Sequence, residues 1–140
     1  MAGSLYERLG GLDSITAVVN DFRDRVAADA RINQKFARTD LDRLTKMLID
    51  QVCEATGGPC KYAGRSMKEA HTGMNVTTGE FSALVDDLVA TLNHFRIGKT
   101  EQDDLLAVLG PLKPEIVEVD SDKVGTSLPS GHRPAPALMK

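Results

Sequence analysis

The stretch MKEAHTGMNVT, Met67–Thr77, places one histidine two residues before Gly73, in a part of the chain with little apolar periodicity. Two readings of His71 are open. A histidine in a last helical turn meets the negative end of the helix dipole, and a following glycine supplies the left-handed cap, so His71 can be purely structural. Alternatively, a short helix presents a neutral imidazole to a metal or cofactor while its second ring nitrogen donates to a backbone carbonyl. The rest of the chain decides between them.

On either side of this stretch the periodicity is helical. SLYERLGG has Ser4 as a cap and Gly10-Gly11 as a stop. Ile15, Val18, Val19, Phe22 and Val26 recur with the spacing of a helix that buries one face, and ARINQKFA follows as a short broken turn carrying Ile32 and Phe36. From Asp40, Leu41, Leu44, Leu48, Val52 and Ala55 trace a second stripe that Gly57-Gly58-Pro59 ends. Thr77 or Thr78 caps a third helix bearing Phe81, Leu84, Val85, Leu88, Val89, Leu92 and Phe95, which Gly98 stops. A fourth opens at Thr100 with acids in its first turn, and Pro111 and Pro114 bend or divide it. No sustained period-2 run occurs, so the expected fold is all-α.

The expected domain is 1–119. Residues 120–140 hold three of the six prolines and no aromatic residue, a composition that predicts a disordered tail. The 17 residues between Pro59 and Thr77 are longer than a connection between packed helices needs. Their apolar anchors are Tyr62, Met67, Ala70 and Val76, and a bound ligand would hold such a loop down.

Bulk properties exclude several function classes. At 140 residues and 41% hydrophobic content, the chain is one domain able to bury a core. A formal net charge of -3 and a pI near 5.6 supply no basic field for nucleic acid or an anionic membrane. Neither a signal peptide nor an apolar run long enough to span a bilayer is indicated, so the expected location is cytoplasmic. Cys53 and Cys60 are too few for a disulfide framework or a four-cysteine zinc site, and read most simply as free thiols. GGPC is a turn, without the lysine and hydroxyl of a phosphate loop, and His94 and His132 read as solvated.

No second histidine or carboxylate stands at ligand spacing from His71. That suits haem iron, to which the porphyrin already gives four ligands, better than zinc. Haem also needs apolar walls, which Phe36, Leu44, Met47, Leu48, Met67, Val76, Phe81 and Leu84 could form.

LYERLGG, DFRDRVAADARINQKFA, ATGGPCKYAGRSMKEAHTGMNVT and the later LGPL together resemble the group I truncated haemoglobins, small globins built as a two-over-two helical sandwich around haem b. The resemblance runs from about Leu5 to Val119. It implies that His71 is the proximal iron ligand, that Phe36 packs on the haem face, and that Tyr62 and Lys68 contact the haem edge and propionates. It also implies that 59–77 is a loop leading to a single-turn proximal helix. Asn75 stands where the family has a glycine, and asparagine tolerates the left-handed conformation.

The distal side departs from the family pattern. Arg23 stands at the position most often a ligand-binding tyrosine, and Leu44 and Leu48 where glutamines are common. Arg23 also interrupts an apolar stripe, between Val19 and Val26. Either its stem packs while the guanidinium meets solvent or an acid, or it donates to the ligand on iron, with Gln51 accepting from it and fixing its direction. Met47, by its sulfur, and Lys46, if deprotonated, are the side chains able to reach the sixth iron site, and Met47 also reads as a flexible filler against the porphyrin.

The leading function is therefore a haem protein that binds a diatomic gas (oxygen, nitric oxide or carbon monoxide) at a His71-held iron. The resemblance extends this to nitric oxide dioxygenase-type chemistry with a reductase partner, in a monomer or weak dimer. The competing readings are a haem electron-transfer or redox-sensing protein with an internal sixth ligand, and a haem-free helical interaction module.

Overall fold

A computed structural model of the chain describes residues 3–64 and 66–129. α1 (Leu5–Arg8) opens on Ser4, whose hydroxyl accepts the Glu7 amide at 3.2 Å. α2 (Gly11–Ala28) buries Ile15, Val19 and Val26, the face its spacing predicts. A 3-10 turn, Asn33–Phe36, leads to α3 (Leu41–Ala55), which opens on the Asp40 carboxylate. α4 (Met67–His71) is one turn long, and α5 (Thr78–His94) begins with a reciprocal capping box between Thr77 and Glu80. α6 (Lys99–Leu109) passes through a 3-10 turn, Gly110–Leu112, into α7 (Lys113–Ile116), so Pro111 and Pro114 divide the fourth helix as expected.

No strand forms among the described residues, and the all-α expectation holds; an isolated parallel bridge joins Thr77 to Val119. α2 packs on α3 and α5, α1 on α2 and α6, and α4 on α7. Apolar clusters sit around Leu5, Leu9, Leu92 and Leu105, around Val26, Ile32 and Ala83, and around Met74, Val76 and Ile116.

Two expectations are corrected. Cys53 and Cys60 are not free thiols: they form a disulfide with a Cα–Cα distance of 5.6 Å. The Gly57-Gly58 turn, in which the Gly58 amide donates to the Cys53 carbonyl at 2.7 Å, folds the chain back onto the end of α3 and brings the two sulfurs together. Residues 120–129 also depart from the disordered tail expected from composition. The Thr78 amide donates to the Val119 carbonyl at 3.1 Å and the Gly79 amide to the Ser121 carbonyl at 2.9 Å. Leu128 packs against the Met74, Val76 and Ile116 cluster. The segment is held mainly by backbone polar groups, which residue composition does not report. Residues 130–140, with His132, lie outside the described residues.

At the centre of these contacts is a buried ion pair. Lys35 and Glu80 are 3% and 2% exposed, with Nζ 3.7 Å from the carboxylate. Lys35 Nζ donates to the Met74 carbonyl at 2.8 Å and the Ser127 carbonyl at 3.2 Å. Glu80 accepts from the Thr77 amide at 3.0 Å and from the Thr126 amide and hydroxyl at 2.9 and 2.8 Å. Each charge therefore has the additional hydrogen bonds that burial demands.

A second polar cluster joins the end of α2 to α5. The Arg31 guanidinium holds the Asp29 carboxyl at about 2, while burial, and then the neighbouring Asp29 carboxylate, push Asp87 up to about 7. Asp87 binds its proton more tightly in the folded chain than in the unfolded one, so the stability it contributes is present at low pH and lost as pH rises through 7. Asp29 has the opposite sign, and its contribution is lost only as pH falls towards 2. Asp87→Asn, which mimics the protonated acid, should raise the unfolding free energy relative to the parent at pH 8 and change it little at pH 4, as read by urea titration. Truncation after Val119 should remove the Thr126 and Ser127 partners of the buried pair and cost about 3 kcal/mol. For a chain of this size that is a fall of roughly 10 °C in thermal midpoint, checked by calorimetry.

Candidate functional site

His71 closes α4. The helix starts on the Ser66 hydroxyl, which accepts the Glu69 amide at 3.2 Å. It ends at Gly73, whose φ of 86° is the left-handed conformation expected of it, followed by Asn75 at φ 55°. The turn with asparagine in place of glycine survives as expected. His71 Nδ1 lies 2.8 Å from the Met67 carbonyl, an acceptor, so this nitrogen carries the proton. In the neutral ring the lone pair is then on Nε2, the tautomer and orientation a metal-binding histidine needs.

Five of the expected wall residues fall into two groups, with Leu44 and Leu48 on α3 beside Met47. Phe36 and Leu84 pack with Phe22 on the Val26, Ile32 and Ala83 cluster. Met67 and Phe81 pack on Met74, Val76 and Ile116. Leu44, Met47 and Leu48 line up along α3 and are half-buried, as are Phe36, Met67, His71, Phe81 and Leu84. Tyr62 is half-buried too, and burial pushes its phenol pKa up. The Tyr62 ring and the Met47 methyl both lie so close to Gly64 that a side chain there would collide with them. Lys68 is exposed on α4.

The distal residues are arranged differently from the polar pair considered above. Arg23 Nη1 lies 3.1 Å from Asp42 Oδ1 and 3.4 Å from Thr45 Oγ1, and Nη2 lies 3.1 Å from Asp24 Oδ1. The guanidinium thus braces α2 to the first turn of α3. Gln51 does not accept from it; its Nε2 donates to Met67 Sδ at 3.2 Å, linking α3 to α4. Lys46 is exposed, and so is His94, whose ring meets Phe95 edge-on at 5.1 Å.

Sequence reasoning missed Gly64, Lys35 and Glu118. Nothing in its neighbours marks Gly64 out within the long 59–77 loop, and a lysine beside Phe36 gives no sign of burial. Glu118 accepts from the Gly73 amide at 3.0 Å and the Asn75 amide at 2.8 Å, partners more than forty residues away in the chain.

The family model for bacterial-like globins matches residues 4–118. Group 1 truncated haemoglobin from Tetrahymena pyriformis is 39% identical over 94 residues, covering 67% of this chain and 78% of that one. Its Fe(III) crystal structure superposes with a TM-score of 0.79 at 33% identity, covering 82% of this chain and 98% of that one. Group 1 truncated haemoglobin GlbN of Mycolicibacterium paratuberculosis is 31% identical over 121 residues, 86% of this chain and 89% of its own. The 2/2 haemoglobin of Synechococcus, solved in the cyanomet state with covalently attached haem, has a TM-score of 0.78 at 30% identity, over 82% of this chain and 98% of that one.

The chain belongs to the bacterial-like globins, and its fold is the two-over-two sandwich of the truncated haemoglobins. It is a haem protein that binds a gas ligand, with haem b as cofactor. Its own residues fit that group: an imidazole oriented by its Nδ1 contact with the Met67 carbonyl, and apolar half-buried side chains on α3, α5 and the 3-10 turn. Among the described residues no cluster of three or more His, Cys, Asp or Glu is arranged to hold a metal ion, and no helix is long and apolar enough to cross a membrane.

With Arg23 bound to acids, Arg23→Leu should change the dissociation rates of oxygen and carbon monoxide by less than about twofold in stopped flow, well short of the effect of losing a charged donor. The same variant should lose about 1 kcal/mol of stability or less, as a partly exposed ion pair does.

Proposed function

We propose that His71 holds the haem iron through Nε2 and that the opposite face is an open gas site walled by Leu44, Met47 and Leu48. The hydrogen bond between His71 Nδ1 and the Met67 carbonyl carries the reading, because it fixes the tautomer and aims the ring from within its own helix. Haem iron supplies the coordination position at which a diatomic gas binds. Phe36, Met67, Val76, Phe81 and Leu84 exclude water around it, and Tyr62 and Lys68 serve the porphyrin edge and propionates.

This chain's own distal residues favour binding and release over strong retention. Leu44 and Leu48 have no hydrogen to donate, Arg23 is engaged with Asp24 and Asp42, and Gln51 with Met67. Oxygen should therefore be held without a charge-assisted hydrogen bond. Nitric oxide detoxification is an extension of the reading that requires a reductase to return the iron to the ferrous state. Exposed Lys46 does not support an internal sixth ligand, and Met47, with its methyl against Gly64, serves as wall. The cytoplasmic location rests on the sequence expectation alone.

The visible spectrum tests the reading. The ferrous parent should be five-coordinate and histidine-ligated without added gas, and His71→Ala should lose that spectrum together with most haem retention. Haem at a hundred times its dissociation constant should stabilise the parent by about 2.7 kcal/mol. A six-coordinate ferrous spectrum without added ligand would replace this reading with that of an electron-transfer or redox-sensing protein.

A further inference from the structure

α4 has five residues, too few for a helix to be stable alone. Something outside it must hold it in place. α7 packs on it, and Glu118 follows α7 by two residues. Gly73 and Asn75 both take left-handed backbone conformations, φ 86° and 55°, with Met74 between them. This alternation turns their amides into one concavity, the geometry that binds anions. Glu118 fills it: Oε1 accepts from the Gly73 amide at 3.0 Å and from the Asn75 amide at 2.8 Å, and Oε2 lies 3.1 Å from the Gly73 amide. The chain on both sides of Glu118 is fastened to the same segment. The Val117 amide donates to the Lys113 carbonyl at 2.9 Å within α7, and the Glu118 and Val119 amides donate to the Val76 carbonyl at 2.9 and 3.1 Å.

We propose that Glu118 is a positioning residue for His71: its carboxylate clamps the turn that follows the histidine and so fixes where the imidazole stands. The proposal rests on the reading that His71 holds the iron. The clamp acts through backbone amides, so it needs an acceptor of the right reach and not a particular side chain on the loop. Because Oε1 accepts from both amides, glutamine keeps that acceptor without the charge and should hold the turn in part, whereas alanine keeps none of it. The segment that follows reaches this turn only indirectly: Thr126 donates to Glu80, whose ion-pair partner Lys35 donates to the Met74 carbonyl.

The test compares haem-loaded Glu118→Ala, Glu118→Gln and Thr126→Val with the parent. Three quantities are measured: amide hydrogen exchange at Gly73 and Asn75, the rate of haem loss to an apoglobin trap, and the iron–histidine stretching band of the ferrous protein by resonance Raman. Glu118→Ala should speed exchange at both amides and haem loss by about tenfold, the effect of losing hydrogen bonds to a charged acceptor. It should also shift or broaden the iron–histidine band. Glu118→Gln, which keeps one acceptor oxygen and loses the charge, should fall between the parent and Glu118→Ala in all three. Thr126→Val should lower the thermal midpoint and change the band and the two amides far less than Glu118→Ala does. If Glu118→Ala behaves like Thr126→Val, the proposal is overturned while the His71 reading stands. If His71→Ala itself keeps the histidine-ligated spectrum, both are overturned.

Discussion

The buried pair of Lys35 and Glu80 ties together parts of the chain that otherwise have little reason to meet. Two charges removed from water are costly, and their attraction offsets that cost only when every remaining proton and lone pair is also satisfied. Here the satisfying groups come from distant segments: the Met74 carbonyl after His71, the Thr77 amide at the start of α5, and Thr126 and Ser127 near the end of the described chain. Lys35 immediately precedes Phe36, so the same pair sets the 3-10 turn that carries Phe36, a proposed haem wall. Its main effect is to specify one arrangement, since any other would leave a buried charge without partners.

Around that knot the two faces of the proposed haem site are built by different means. The histidine side is local and polar in its construction: a one-turn helix, a ring hydrogen-bonded to its own backbone, and a left-handed turn filled by a carboxylate. The opposite side is a length of α3 presenting Leu44, Met47 and Leu48, with Arg23 outside it as a brace to α2. The disulfide between Cys53 and Cys60 closes the end of α3 against the loop that carries Tyr62 and Gly64. α3 is thus fixed at both ends, by a surface ion pair at the first turn and a covalent link at the last, and the loop towards α4 leaves it in a defined direction.

The sequence by itself determined the helices, their caps and breaks, and the histidine. Those features depend on spacing along the chain: apolar residues three and four apart, Ser4 and Asp40 before helical runs, prolines at Pro111 and Pro114, and His71 followed by Gly73. That helical period places Leu44 and Leu48, or Phe81 and Leu84, on one face was legible for the same reason. Only the tertiary structure decided the partners of the polar groups. Arg23 had acids and a haem ligand as alternatives, and it was the position of Asp42 at the start of the neighbouring helix that settled where the guanidinium goes. The cysteines were judged by number and compartment, yet a turn of two glycines brings them within bonding distance. Residues 120–129 looked unable to order because composition measures apolar area, whereas they are held by amides and carbonyls that every sequence carries equally. Periodicity is a one-dimensional property and can be read from the chain; hydrogen-bond pairing between distant segments depends on which groups the fold brings to within 3 Å, and that exists only in three dimensions.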